Sequence, residues 1–159
     1  MNRYNNWITV SKKYIGIYRK LQEGSLPEGQ KYDGYASLFL LCACLGSRDY
    51  QSSGILAADF AGIELMMFHQ LDEHQQTILK AIAIKTKGNY QILQEPKELI
   101  LIAEKFAERG MDILVDTVLK EYVREFRAGE YMLDDPADHQ LEKKMAMLIQ
   151  QEIMRNSPL

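Results

Sequence analysis

A chain of 159 residues with 47% hydrophobic and 26% charged side chains can bury one core without disulfides or metals, and this composition excludes disorder along most of its length. The net charge of −3 hides an asymmetry: residues 1–31 carry Arg3, Lys12, Lys13, Arg19, Lys20 and Lys31 against Glu23 and Glu28, a local balance of +4 that leaves −7 on the rest. A basic amino-terminal stretch on an acidic body suits nucleic acid or an acidic partner surface, and equally a solvated helix face.

The start, M-N-R-Y-N-N-W, has no apolar run ahead of a cleavage site, so no signal peptide is expected and the cytoplasm is the expected compartment. Trp7, Val10, Tyr14, Ile17, Tyr18 and Leu21 follow at helical spacing, with the lysines and arginines mostly off that stripe. Gly16 weakens this helix by about 1 kcal/mol relative to alanine. Ser25 to Gly34 is a loop by its glycine and proline content, and Asp33 is placed to cap what comes next. That element is the apolar block Tyr35 to Leu45, closed by Gly46. It has no charge and no turn former, and its apolar residues cover every side of a helix, which predicts a buried central helix. The block is about half the roughly 20 residues that cross a bilayer, so it reads as core and no membrane span is expected. Cys42 and Cys44 sit inside it about 200° apart around the helix, too far to pair or to share a metal, and read as small buried hydrophobes in a reducing compartment.

Beyond Gly46, S-R-D-Y-Q-S-S-G is polar and turn-like. A helix over Ala57 to Phe68 is predicted, interrupted by Gly62 and ending on Leu65, Met66, Met67 and Phe68. Asp72 caps the next helix, Glu73 through Ile84, with Ile78, Leu79, Ile82 and Ala83 inward. The run K-T-K-G-N ends it with lysines in the last turn and glycine beyond, as the helix dipole and a left-handed cap favour. Tyr90 to Leu93 reads as extended and is too short to found a sheet. Pro96 suits a first helical turn, and the helix to Arg109 should bury Leu99, Ile102, Ala103 and Phe106 while Glu98, Glu104, Lys105 and Glu108 stay wet. Gly110 stops it. The longest helix is predicted over Met111 to Ala128, with Ile113, Leu114, Val118, Leu119, Tyr122 and Phe126 as its stripe and Gly129 as its end. Residues 130–159 should hold a last helix, capped by Asp134 or Asp135 ahead of Pro136, and a frayed N-S-P-L tail. The expected architecture is therefore all-α: a single helical domain over residues 1–159, of six or seven helices around the buried Tyr35–Leu45 axis.

Chemistry is sparse. His69, Asp72, Glu73 and His74 fall close together, but histidines five apart diverge on a helix, whereas zinc ligands on one face want a spacing of three or four. Asp134, Asp135, Asp138 and His139 lack the alternating oxygens and central glycine of a calcium loop and are explained as helix-capping acids. Phosphate-cradling glycine patterns and the G-x-S-x-G elbow do not occur. Glu104 and Glu108, interleaved with Lys105 and Arg109, have the pattern of a solvated face laced with ion pairs. No catalytic residue, metal site or cofactor is therefore assigned. Lys12, Lys13, Arg19 and Lys20 are the candidate nucleic-acid contacts, with Tyr14 and Tyr18 available for stacking, and Lys80, Lys85 and Lys87 form a second basic spot. Met66, Met67, Met145, Met147 and Met154 offer adaptable apolar surface for a protein partner.

The runs L-F-L-L-C-A-C-L-G (Leu38–Gly46), I-L-K-A-I-A-I (Ile78–Ile84), Y-Q-I-L (Tyr90–Leu93) and L-I-L-I-A-E-K-F-A-E-R-G-M-D-I-L (Leu99–Leu114) follow one another in a familiar order. Across residues 35–116 this order resembles the DNA phosphorothioation (Dnd)-associated protein 4 family, found beside bacterial DNA-modification and phage-restriction genes. The resemblance brings no catalytic motif with it. It implies a subunit of a bacterial DNA-modification or anti-phage defence system. Together with the absence of a catalytic signature, the expectation is a non-enzymatic helical accessory subunit that binds a protein partner or a second copy of itself. Its contact would be the basic amino-terminal helix or the methionine-rich carboxy-terminal helix. The alternative is a DNA-binding accessory factor using Lys12, Lys13, Arg19 and Lys20; an enzyme centred on His69 to His74 ranks behind both.

Overall fold

Ile8 and Val10 are buried while Trp7 and Thr9 are half-exposed, a period of two that belongs to a strand rather than a helix. The computed structural model describes residues 6–25, 33–48, 62–134 and 140–155. In it Trp7–Ser11 forms strand β1, and helix α1 begins only at Ile15 and runs to Ser25. Three consecutive β-branched residues, Ile8, Thr9 and Val10, favour this extended start. The expected stripe survives from the turn onward, in Tyr14 ahead of α1 and in Ile17 and Tyr18 on it, all buried.

Helix α2, Asp33–Ser47, contains the apolar block. Ala36, Leu38, Phe39, Leu40, Cys42, Ala43 and Leu45 are buried, so the segment is a core helix as expected. Its burial is not complete around the circumference: Ser37 and Cys44 are exposed, which corrects the reading of Cys44 as a buried residue.

The second correction concerns residues 62–67, expected as helix. Gly62–Met67 is strand β2, antiparallel to β1, with Ile8 opposite Met66 and Thr9 opposite Glu64. Leu65 is thus an extra residue, a bulge, and Leu65 and Met66 both turn into the core. Two adjacent buried residues imitate the thick end of a helix, which is why the pattern misled. Residues 57–61 of that expected helix lie outside the described residues.

A short 3₁₀ turn, Phe68–Gln70, leads to helix α3, Glu73–Lys87. Asp72 caps α3 as expected: its carboxylate accepts the Gln75 N–H at 2.8 Å, and the Gln75 side chain accepts the Asp72 N–H at 2.9 Å. Gly88 closes the other end in the left-handed region, φ 74°. Leu79 and Ala83 are buried, but Ile78, expected inward, is exposed. Tyr90–Gln94 is a 3₁₀ turn rather than extended; Asn89 Oδ1 accepts the Gln91 N–H at 3.1 Å and starts it.

Helix α4, Pro96–Asp116, runs straight through Gly110, where a break was expected. The glycine serves packing instead. A Cβ on Gly110 would stand 1.7 Å from the Cys42 carbonyl oxygen, and one on Gly46 would stand 1.9 Å from that of Phe106. With Ala43, Ala103 and Ala107 also buried, small residues let α2 and α4 approach backbone to backbone, and this is the most extensive packing between elements.

The expected helix to Ala128 ends at Asp116. Val123–Arg127 and Glu130–Leu133 instead form a hairpin of strands β3 and β4, turning at Ala128 and Gly129, the latter at φ 79°. β4 packs against α1, and its Tyr131 N–H donates to the Lys13 carbonyl at 2.9 Å. Leu119 is buried but Phe126 is exposed, so the stripe that suggested one helix is divided among the end of α4, a turn and a strand. Helix α5, Gln140–Arg155, closes the described chain. The architecture among the described residues is five helices with two two-stranded antiparallel sheets, mixed α/β and not the all-α bundle of six or seven helices. Side chains from β1 to α4 share one hydrophobic cluster with Leu133 of β4.

Candidate functional site

Glu104, Glu108 and Asp112 recur every four residues along α4, and such a spacing puts them on one helix face. That face meets β1 and the turn that joins β1 to α1. Glu104 Oε2 accepts the Thr9 backbone N–H at 2.7 Å and also the Thr9 hydroxyl. An N–H on the edge of a strand is therefore satisfied by a carboxylate from a helix. Burial pushes the Glu104 carboxyl above its ordinary pKa, and the two Thr9 bonds pull it partly back. Sequence reasoning left Glu104 wet; it is 9% exposed.

Glu108, one turn on, is half-buried. Burial is again the main cause raising its carboxyl and the Asp112 charge adds to it, while the Ser11 hydroxyl and the Lys13 ammonium oppose them. Ser11 is itself buried, and its hydroxyl makes no hydrogen bond of ordinary geometry. Asp112 accepts a hydrogen bond from the Tyr14 hydroxyl, and its Oδ1 lies 3.7 Å from Lys13 Nζ. Deeper in, burial raises the Tyr18 hydroxyl well above its usual range, and its interaction with Cys42 adds to the shift. Cys42 itself is pushed up to about 12, chiefly by burial. A thiol so placed stays protonated at neutral pH and is a poor nucleophile. Tyr14 and Tyr18 are buried, so neither ring is free to stack on a base.

Of the candidate nucleic-acid contacts, Lys12 and Lys13 sit at the outer rim of this seam. Lys12 is 71% exposed in its side chain, with its Nζ 3.6 Å from Glu130 Oε1 on β4. Lys13 is held more closely: besides Asp112, its Nζ lies 4.9 Å from the Tyr14 ring centroid and 5.4 Å from that of Tyr131. The two tyrosine rings are 6.0 Å apart. Arg19 is exposed and Lys20 half-buried, both on α1. The turn thus brings Lys12 and Lys13 together beside two carboxylates, and Arg19 and Lys20 belong to the following helix.

Elsewhere, His69 and His74 are exposed on either side of the Asp72 cap. Among the described residues no three histidine, cysteine or acidic side chains converge closely enough to hold a metal ion. Asp134 pairs with Arg124 at 3.3 Å; Asp135, Asp138 and His139 lie outside the described residues. Met66 is core, Met145 is partly buried against the core, and Met147 and Met154 are exposed on α5. α5 is tied down by Lys144, whose Nζ reaches Glu121 Oε2 at 3.1 Å and lies 5.3 Å from the Tyr122 ring centroid.

What sequence reasoning missed is the acidic line. Its signal was present: acids at i, i+4 and i+8, each directly preceded by an apolar residue, Ala103, Ala107 and Met111. The interleaved Lys105 and Arg109 made the same residues look solvated.

The chain belongs to the family of DNA sulphur modification system-associated protein 4, whose model matches residues 8–152, from β1 into α5. This is the family that the core runs over residues 35–116 pointed to. No curated protein and no solved structure matches the chain. Among the described residues no helix is long and apolar enough to cross a membrane.

Proposed function

We propose that this member of the DNA sulphur modification system-associated protein 4 family is a non-enzymatic cytoplasmic accessory protein that works by docking against another protein of that system. The observation that carries the reading is the outer face of α5. Met147 and Met154 are 59% and 68% exposed and stand seven residues apart, two turns along one face. Ile149 is also exposed. Met145 and Leu148 hold the opposite side of the helix against the core. An amphipathic helix that keeps flexible thioethers outward has the anchor spacing of a helix laid into a partner's groove. The polar groups of the seam, by contrast, are largely engaged with one another.

The experiment is co-purification of the tagged full chain with the proteins encoded beside it. Met147→Lys with Met154→Lys should abolish capture while leaving the thermal unfolding midpoint within a few degrees of the parent. Undiminished capture by that double variant would remove the docking face from consideration.

The second reading is direct DNA contact through Lys12, Lys13, Arg19 and Lys20. It is favoured by the exposure of Lys12 and Arg19 and predicts binding that weakens steeply with salt. Replacing Lys12 and Lys13 with alanine should weaken it; equal binding by that variant defeats the reading.

A further inference from the structure

We infer that Glu130 and Asp112 shield the Lys12–Lys13 pair, so that contact between the amino-terminal turn and a phosphodiester backbone is held back by the chain's own carboxylates. The inference rests on the second reading above. Two neighbouring lysines on one turn each face an acid from a different, later element: Lys12 meets Glu130 of β4 at 3.6 Å, and Lys13 meets Asp112 of α4 at 3.7 Å. The side of the turn that would meet phosphate is therefore already occupied by negative charge of the chain.

The occupancy is weak enough to be displaced. All four side chains keep solvent contact, with Lys12 at 71% and Asp112 at 47% exposure, and ion pairs of this kind are loosened by water and salt. A phosphate row offers each ammonium a comparable partner and releases counterions as it does so. The two pairs differ in what else they hold. Among the described residues, Lys12 and Glu130 pair only with each other in the seam, whereas Lys13 is also held over two tyrosine rings and Asp112 also accepts the Tyr14 hydroxyl. Glu130 is thus the gate that can yield without disturbing the core, and Lys12 the cation it releases.

The test is binding of a short double-stranded oligonucleotide to the full chain, followed by fluorescence anisotropy over a range of salt. Glu130→Gln should tighten binding several-fold and steepen the logarithmic salt dependence by about one. Glu73→Gln, which removes an exposed acid on α3, should stay within about twofold of the parent. Lys12→Ala in the Glu130→Gln background should cancel the gain. Asp112→Asn is the second variant, interpreted only alongside an unchanged melting curve because it also touches Tyr14. If Glu130→Gln behaves like Glu73→Gln while Lys12→Ala and Lys13→Ala weaken the parent, shielding is wrong and the DNA reading stands. If neither the parent nor any variant binds, both are wrong.

Discussion

The α-carbon of Gly110 on α4 rests against the carbonyl of Cys42 on α2, so closely that a Cβ there would stand 1.7 Å from the oxygen. The atom in the way is backbone, and it cannot rotate aside. Gly110→Ala should therefore destabilise the fold by roughly 3 kcal/mol or more, overpacking at a rigid contact, despite the approximately 1 kcal/mol that alanine gains over glycine inside a helix. Gly46→Ala meets the Phe106 carbonyl in the same way and should behave alike. Urea unfolding of both variants checks this; a midpoint equal to or above the parent's for either would mean the helices are not that close.

Glu104 separates charge from hydrogen bonding. Its carboxylate satisfies the Thr9 N–H and hydroxyl from a buried position. Glu104→Gln keeps an acceptor oxygen and removes the buried charge, so the variant should lie within about 1 kcal/mol of the parent at neutral pH. Glu104→Ala leaves the Thr9 N–H without its partner and should cost about 1–3 kcal/mol. Chemical denaturation of the pair decides. Equal loss in both variants would show that the charge, and not the acceptor, is what β1 requires.

The same seam fixes a pH dependence. Glu104 and Glu108 have folded-state pKa values above the ordinary 4.5, mainly through burial. A carboxyl raised by folding binds its proton more tightly in the native state. Its stabilising contribution is complete below the unfolded pKa and is lost as the pH rises through the folded value. Melting temperature should therefore rise as the pH is lowered from neutral toward the ordinary carboxylate range, and Glu104→Gln with Glu108→Gln should flatten that rise. A parent protein that instead loses stability steadily across this interval, with the double variant following it in parallel, would contradict the assignment.

Much of the helical core was legible because its signals are local. The Asp72 cap, the Gly88 stop and the Pro96 start depend on a few neighbouring residues, and the Tyr35–Leu45 block announces itself by the lack of any charge. The strands were not legible because their decisive partners are distant. β1 becomes a strand by pairing with residues some 55 positions away, and the β2 bulge disguises its alternation. Gly110 carried two meanings, a helix stop or a close helix crossing, and only the presence of Gly46 and Cys42 opposite selects the second. The acidic seam failed for a related reason. Glu104 and Glu108 are indistinguishable from surface acids until the Thr9 N–H and Lys13 are brought against them. The family, by contrast, was readable from core runs alone, since those runs are the part of the chain that packing constrains most.

The two cysteines, expected to behave alike, should part company under chemical labelling. Cys42 is fully buried, interacts with the Tyr18 hydroxyl, and is pushed up to about 12, so it is both inaccessible and protonated at neutral pH. Cys44 is exposed on the outer line of α2, although partial burial raises its thiol as well. Reaction rate follows the accessible thiolate. Treating the folded chain with a maleimide at pH 7.5 should therefore add one label, on Cys44 and slowly, and a second should appear only in denaturant. Mass spectrometry of the digested product assigns the sites. Labelling of Cys42 at a rate near that of Cys44 in the native protein would mean that α2 opens far more readily than its packing against α4 allows.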